Sequence, residues 1–134
     1  MPILEVHLVE GAHTPGQHAE LLARMSARYA EVLDSPLARI RAYVTLHRPE
    51  HWATGGVPGV EAPYFTAIVL EGRPAEQRHR LLGAFTDILV DTLGVDRHLV
   101  RGRIIQVPPD DWAIGGVPAS AARRAEVAAR AGDG

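Results

Sequence analysis

The sequence predicts an α/β protein in which two tandem β-α-β units form one four-stranded mixed sheet with two helices on one face. Three observations lead there. The chain repeats itself, each repeat carries a strand–helix–strand hydrophobic pattern, and 134 residues suit one domain rather than two.

The repeat is clearest in HWATGGVP, His51 to Pro58, and DWAIGGVP, Asp111 to Pro118, where Trp52 and Trp112 stand 60 residues apart. Leu22/Leu82, Leu33/Leu93 and Arg41/Arg101 keep that offset, whereas Pro2/Pro63, Glu10/Glu71 and Gly11/Gly72 are separated by 61. One extra residue therefore lies between Gly11 and Leu22. A register held across both halves indicates duplication and fusion of one unit. It predicts a single domain over residues 1–118, with repeats at 2–58 and 63–118 and a tail at 119–134.

Each unit opens with an extended apolar run, Ile3 to Val9 and Tyr64 to Leu70, closed by Glu-Gly. Thr14-Pro15 then starts a helix, with Thr as cap and Pro in the first turn, and Leu22, Met25, Tyr29 and Leu33 form its apolar face. Leu82, Phe85, Leu89 and Leu93 repeat that face after Pro74. Gly94 stops the second helix, and Pro36 suggests the stop of the first. The closing strands are expected at Ile40 to His47 and Val100 to Val107, parallel to their openers through right-handed crossovers. Alternation directs Ile40, Ala42, Val44 and Leu46 to the helices and Arg41, Tyr43 and Thr45 to the opposite face, which Arg101 and Arg103 share. That uncovered face implies self-association.

Composition excludes several functions. Fourteen basic and sixteen acidic residues give a formal net charge of -2, without the positive field that nucleic acid requires. Cysteine is absent, which removes disulfides and thiolate chemistry and agrees weakly with a reducing, cytoplasmic setting. The opening MPILEVHLVEG has no basic flank and contains Glu5 and His7, so it reads as neither a signal nor a membrane span. Phosphate-binding and dinucleotide glycine motifs are missing, and the seven histidines show no metal spacing. No metal or cofactor is expected.

Pro2 carries the remaining chemistry. Its small size makes Met1 removable, and the freed nitrogen is a secondary amine rather than an amide. Burial near cationic arginines disfavours its protonated form and draws the amine toward working pH, where it serves as a general base or, reversed, a general acid.

PILEVHLVEG, LDSPLARIRAYVTL and the Trp-Ala-x-Gly-Gly segments resemble the 4-oxalocrotonate tautomerase family, once in each half and over roughly Pro2 to Pro118. In that family short chains of one unit form hexamers, while fused two-unit chains, among them the cis-3-chloroacrylic acid dehalogenase and malonate semialdehyde decarboxylase groups, form trimers. The resemblance implies Pro2 as proton carrier, Arg73 after Glu-Gly as anion clamp, Arg41 and Arg101 as strand arginines, and Trp52 and Trp112 as the aromatics before the Gly-Gly turn. The first half departs from the pattern at Ala12. Pro63 matches the catalytic proline in register, but an internal proline nitrogen is an amide without a basic lone pair. One active site per chain follows, the first half supplying the base and the second the clamp.

The expected reaction is a keto–enol proton shift on a small 2-oxo or enol carboxylic acid, with Pro2 moving the proton. Arg73, Arg41, Arg101 and Arg103 hold the carboxylate and stabilise the enolate, and Trp112 walls the pocket. A homotrimer is expected, each Trp arm reaching toward a neighbouring chain. Two further enzyme readings use the same fold. A hydrolytic dehalogenase or hydratase would draw on Asp111 to activate water, although Leu70 occupies the position of that group's first clamp arginine. A decarboxylase lacks its paired arginine spacing. A non-catalytic binding or assembly module is the remaining alternative.

Overall fold

The structure is a computed structural model, and it describes residues 2–122. The first unit comprises β1 (Ile3–Val9), α1 (Pro15–Leu33), β2 (Arg41–His47) and a small hairpin of β3 (Ala53–Thr54) and β4 (Val57–Pro58). The second repeats it as β5 (Tyr64–Leu70), α2 (Ala75–Leu93), β6 (Arg101–Val107), β7 (Ala113–Ile114) and β8 (Val117–Pro118). The closing strands begin one residue later than alternation suggested, because Ile40 and Val100 leave the short 3-10 turns that precede them.

The extra residue of the first half falls in the loop between β1 and α1 and changes how the helix starts. Thr14 accepts a hydrogen bond from the Gln17 amide at 3.1 Å, and the Gln17 side chain accepts one from the Thr14 amide at 2.9 Å, completing a capping box. In α2 Pro74 occupies the cap position and offers no side-chain bond. The first helix ends before Pro36, on Asp34 in the left-handed region at φ 50°, whereas Gly94 ends the second as expected.

The sheet order is β2-β1-β5-β6. β1 and β2 are parallel, as are β5 and β6, and the two units join antiparallel at β1 and β5, with Ile3 opposite Ile68 and His7 opposite Tyr64. The helices also run antiparallel, since Gln17 Nε2 donates to the Thr92 carbonyl and Gln77 Nε2 to the Val32 carbonyl. Each unit thus caps the helix end of the other. The linker is tied down as well: Glu61 accepts from the Val9 amide at 2.7 Å and pairs with His13, both side chains being nearly buried.

The core lies between the sheet and the helices. Leu4, Val6, Leu8, Phe65, Ala67 and Val69 face it from the central strands, and each fully buried leucine contributes about 1.5–3 kcal/mol. Its centre is aromatic: Phe85 meets Tyr29 and Phe65 edge-on at centroid distances of 5.0 and 5.6 Å. The Tyr29 hydroxyl donates to the Ile68 carbonyl at 2.7 Å, and burial pushes its ionisation well above the usual phenol range against the opposing pull of Arg73. The buried ridge is Leu21, Met25, Tyr29 and Leu33, with Leu81, Phe85, Leu89 and Leu93 in α2. The even four-residue step selects Leu21 and Leu81, and the expected Leu22 and Leu82 are only half-buried. Leu46, assigned to the helix side, is 46% exposed, because coverage of the edge strand β2 ends near Val44.

The two Trp hairpins follow the closing strands, and their outer residues Val57 and Val117 are exposed. Each hairpin is closed by a bond to its tryptophan carbonyl, from Gly59 at 2.8 Å and from Ala119 at 2.7 Å. Ala119 is fully buried and residues 119–122 are helical. Met1 and the rest of the expected tail lie outside the described residues. Among those described, no helix is long and apolar enough to cross a membrane.

Gly102 sits opposite Phe65, and a Cβ placed there would lie 2.1 Å from the ring's Cζ. The ring is held by Phe85 and has no room to retreat. Gly102→Ala should therefore destabilise the fold by about 1–3 kcal/mol, read by urea denaturation, and Phe65→Leu in the same chain should recover part of that loss relative to its own background.

Candidate active site

Pro2 is buried at the head of β1, and its carbonyl accepts the Arg41 amide at 3.1 Å. Ile3 is paired with Arg41 in the parallel ladder, so both side chains fall on the sheet face away from the helices. The hairpin of the second unit reaches this point. A cavity of about 350 Å³ is lined by Ile3, Arg41, Trp112, Ala113, Ile114 and Gly115. Arg41 Nη1 donates to the Ala38 and Arg39 carbonyls at 3.2 and 2.9 Å. Those bonds steady the guanidinium and leave Nε and Nη2, a fork suited to a carboxylate.

The equivalent place in the second unit is built differently. Arg101 donates its amide to the Pro63 carbonyl at 3.0 Å, but Tyr64 stands where the first unit has Ile3. His7 stacks on Tyr64, with centroids 5.6 Å apart, and on His47 at 5.0 Å, while Trp52 lies 5.0 Å from His47. His7 Nδ1 and His47 Nε2 are within hydrogen-bond distance at 2.7 Å, and His7 Nε2 lies 3.1 Å from Glu5. The Thr45 hydroxyl donates to Glu5 at 2.8 Å. Burial acts to raise the Glu5 carboxyl, yet Thr45, His7 and Tyr43 outweigh it and hold it below the ordinary value. Burial, and then the Glu5 charge, raise the Tyr43 hydroxyl.

Of the residues selected from sequence, Arg41 and Trp112 line one cavity together with Ile3, the residue after Pro2, and the others lie elsewhere in this chain. Arg101 pairs with Tyr64, at the level of His7, four residues along the sheet from Ile3 or roughly 13 Å. Arg103 is exposed on β6 opposite Thr66. Arg73 Nη1 donates to the Leu33 carbonyl at 2.9 Å and to Gln77 at 3.3 Å. The last carbonyls of α1 lack helical partners and draw the guanidinium there rather than into the cavity. Asp111 lines a neighbouring cavity of about 240 Å³ with Asp110 and Trp112. Both tryptophan Nε1 atoms are buried without an acceptor among the described residues.

Ile3 and Ile114 were missed by sequence reading, as was the Glu5–His7–His47 cluster. Alternation along the first strand, once set against Arg41 in the parallel ladder, contains the signal for Ile3, Glu5 and His7. Nothing local marks Ile114, which arrives from the other end of the chain. Among the described residues no group of three or more His, Cys, Asp or Glu could hold a metal ion.

Comparison with known proteins places this arrangement in a class. The family described as tautomerase enzyme matches twice, at residues 2–61 and 63–122. The chain belongs to the tautomerase family, a family of isomerases, as a fused two-unit member. A probable tautomerase of Ralstonia nicotianae is 41% identical over 61 residues, covering 46% of this chain and 87% of its own. A 2-hydroxymuconate tautomerase of Pseudomonas sp. is 36% identical over 58 residues, covering 43% and 90%. The native fused 4-OT structure superposes with a TM-score of 0.83 at 29% identity, over 89% of this chain and 97% of its own. A fused 4-OT described as a symmetric trimer gives 0.83 at 27%, covering 90% and 98%.

The Glu5 network has a pH signature. Its folded-state pKa lies below the ordinary 4.5, so its stabilisation is complete above that value and disappears as pH falls through the lower one. Glu5→Gln should therefore lower the urea midpoint at neutral pH, and the gap from wild type should narrow as pH falls below the ordinary 4.5.

Proposed function

We propose that the chain catalyses keto–enol isomerisation of a small 2-oxo or enol carboxylic acid in the cytoplasm, without a cofactor, with the Pro2 amine as general base. The observation that carries this reading is a cavity whose lining joins Ile3, the residue after Pro2, and Arg41 to the Trp112 arm. Arg41 grips the substrate carboxylate. Its charge also disfavours protonation of the neighbouring amine and stabilises the enolate. Pro2 takes the enol hydroxyl proton, the electrons of the O–H bond form the carbonyl, and the protonated amine returns the proton to carbon. Trp112 limits access of water to the site. The position of Asp111 in the adjacent cavity weighs against a hydratase or dehalogenase, which needs a carboxylate facing the substrate.

The unit of function is proposed to be a trimer that uses the open sheet face. Tyr43 on that face is 47% exposed, and Val57 and Val117 on the two arms are 54% and 47% exposed. The buried indole N–H groups without acceptors suit a surface completed on assembly. Arg73, Arg101 and Arg103 reach a substrate in this scheme only from that assembled surface.

The amine assignment makes a direct demand. The untagged protein should lack Met1 by intact mass and turn over an enol acid, while one residue added before Pro2 should abolish activity by converting the amine to an amide. Arg41→Ala should lower kcat/KM by about a hundredfold or more, and Pro63→Ala should leave it near wild type. A fully active extended protein would refute the mechanism.

Sedimentation equilibrium at micromolar concentration should return three times the 14.5 kDa chain mass. A stable, active monomer would show that the open face needs no partner.

A further inference from the structure

The two Trp arms are fastened to the sheet differently. In the first, Trp52 packs on His47 and His7 at centroid distances of 5.0 and 6.3 Å, and His7 lies against Tyr64. At the repeat offsets those three sheet residues become Val107, Ile68 and Ile3, so the matching positions around the second arm are aliphatic. The first arm's own hydrogen bonds are internal, from Gly59 to the Trp52 carbonyl at 2.8 Å and from Thr54 to the Val60 carbonyl at 2.6 Å. The Trp52 Nε1 atom is buried without an acceptor among the described residues. Within this chain the indole is therefore held by ring contact with the two histidines.

His7 Nδ1 and His47 Nε2 face each other at 2.7 Å, and a bond there needs a hydrogen on one nitrogen and a lone pair on the other. Burial opposes ionisation of Glu5, but Thr45, His7 and Tyr43 hold its carboxyl below the ordinary value. A carboxylate only accepts, so His7 Nε2 carries a hydrogen toward it at 3.1 Å. With both rings neutral, His47 Nε2 donates to His7 Nδ1. With one added proton, His7 is the cation beside Glu5 and donates to His47, whose own hydrogen moves to Nδ1. A further proton puts N–H groups on both facing nitrogens and like charges across 2.7 Å. Cation–π attraction to Trp52 favours a charge on His47 but does not restore the bond, and His47 turns from His7 with its side of the Trp52 contact. The other charged neighbours leave this balance in place. Arg101 and Arg103, in register with Tyr64 and Thr66, add positive charge. Glu61 beside Val9 is engaged by His13. Arg48 and Glu50 pair with each other at 4.0 Å, and Glu10 and His51 are exposed to screening by solvent. The histidine pair is internal to one chain, so its proton count is the same in an isolated chain and in an assembled one.

We infer that the His7–His47 pair is a proton-operated latch on the first arm, closed while at most one of the two rings is charged and released when both are. Its stabilisation is present at neutral pH and is lost as pH falls through the range in which imidazoles titrate. Release frees Trp52 and the hairpin of β3 and β4 from the sheet, while the second arm, which lines the cavity with Arg41, stays in place. The latch does not depend on the reaction proposed at Pro2.

The test reads Trp52 alone, in a Trp112→Phe protein, by acrylamide quenching of its fluorescence as pH is lowered from about 8 to about 5. The quenching constant should rise by about twofold or more as the arm opens, with a cooperative urea transition still present at the lower pH. Trp112 read alone, in a Trp52→Phe protein, should change little. His47→Gln keeps a donor for His7 Nδ1 but takes no charge, and in the Trp112→Phe background it should hold the weakly quenched state throughout. A flat Trp52 response in a folded chain, an equal response in His47→Gln, or a response as large at Trp112 overturns the latch. If His47→Gln does not fold, NMR of the wild type decides: the Trp52 indole N–H and His47 ring signals should move together with pH, and separate midpoints overturn it. A quenching change that vanishes on dilution, in step with dissociation seen by sedimentation, assigns the response to assembly and overturns the latch as well.

Discussion

The antiparallel seam between β1 and β5 is the constraint on which the rest depends. Each unit is a parallel strand pair covered by one helix, and a pair of strands cannot close a core alone. Joining the units through their opening strands places the two edge strands outermost and relates the halves by a pseudo-twofold. That symmetry sends the second unit's arm to the head of β1 and the first unit's arm to the head of β5. The site beside Pro2 is therefore a product of the seam, assembled from residues over a hundred positions apart.

Duplication produced two such places, and their chemistry has diverged around the same backbone. At Pro2 the strand continues with Ile3 and the arm leaves a cavity. At Pro63 it continues with Tyr64, and His7, His47 and Trp52 fill the corresponding space with stacked rings. The nitrogen of Pro63 is an amide without a basic lone pair, so aromatic packing there displaces no proton carrier. Arg41 and Arg101 occupy matching ladder positions, and Arg41 lines a cavity with Ile3 and the second arm.

Much of this was legible in the sequence. The strand runs, the 60-residue register and the Gly-Gly hairpins all express local preferences, and they found their structural counterparts within a residue. The helix ridge was misread by one position because Leu21-Leu22 and Leu81-Leu82 are adjacent leucines. Only packing against the sheet decides which of each pair turns inward. Arg73 shows a different limit. Its place after Glu-Gly matched the family pattern, but a guanidinium goes where acceptors are unsatisfied, and the carbonyl end of α1 lies within reach. The roles of Ile3 and Ile114 depend on which arm crosses to which strand, and that is a property of the seam rather than of any short segment.

The reciprocal contacts at the helix ends carry a consequence for how the chain acquires its structure. Gln77 and Arg73 terminate α1, Gln17 reaches the end of α2, and Glu61 fastens the connection between the units to the loop that follows β1. Each half has its own helix stop, Asp34 and Gly94, but the side chains that satisfy the last helix carbonyls come from the other half. The pairing of β1 with β5 brings Ile3 to Ile68, the largest sequence separation in the sheet, so the least local contact is the one that ties the halves together.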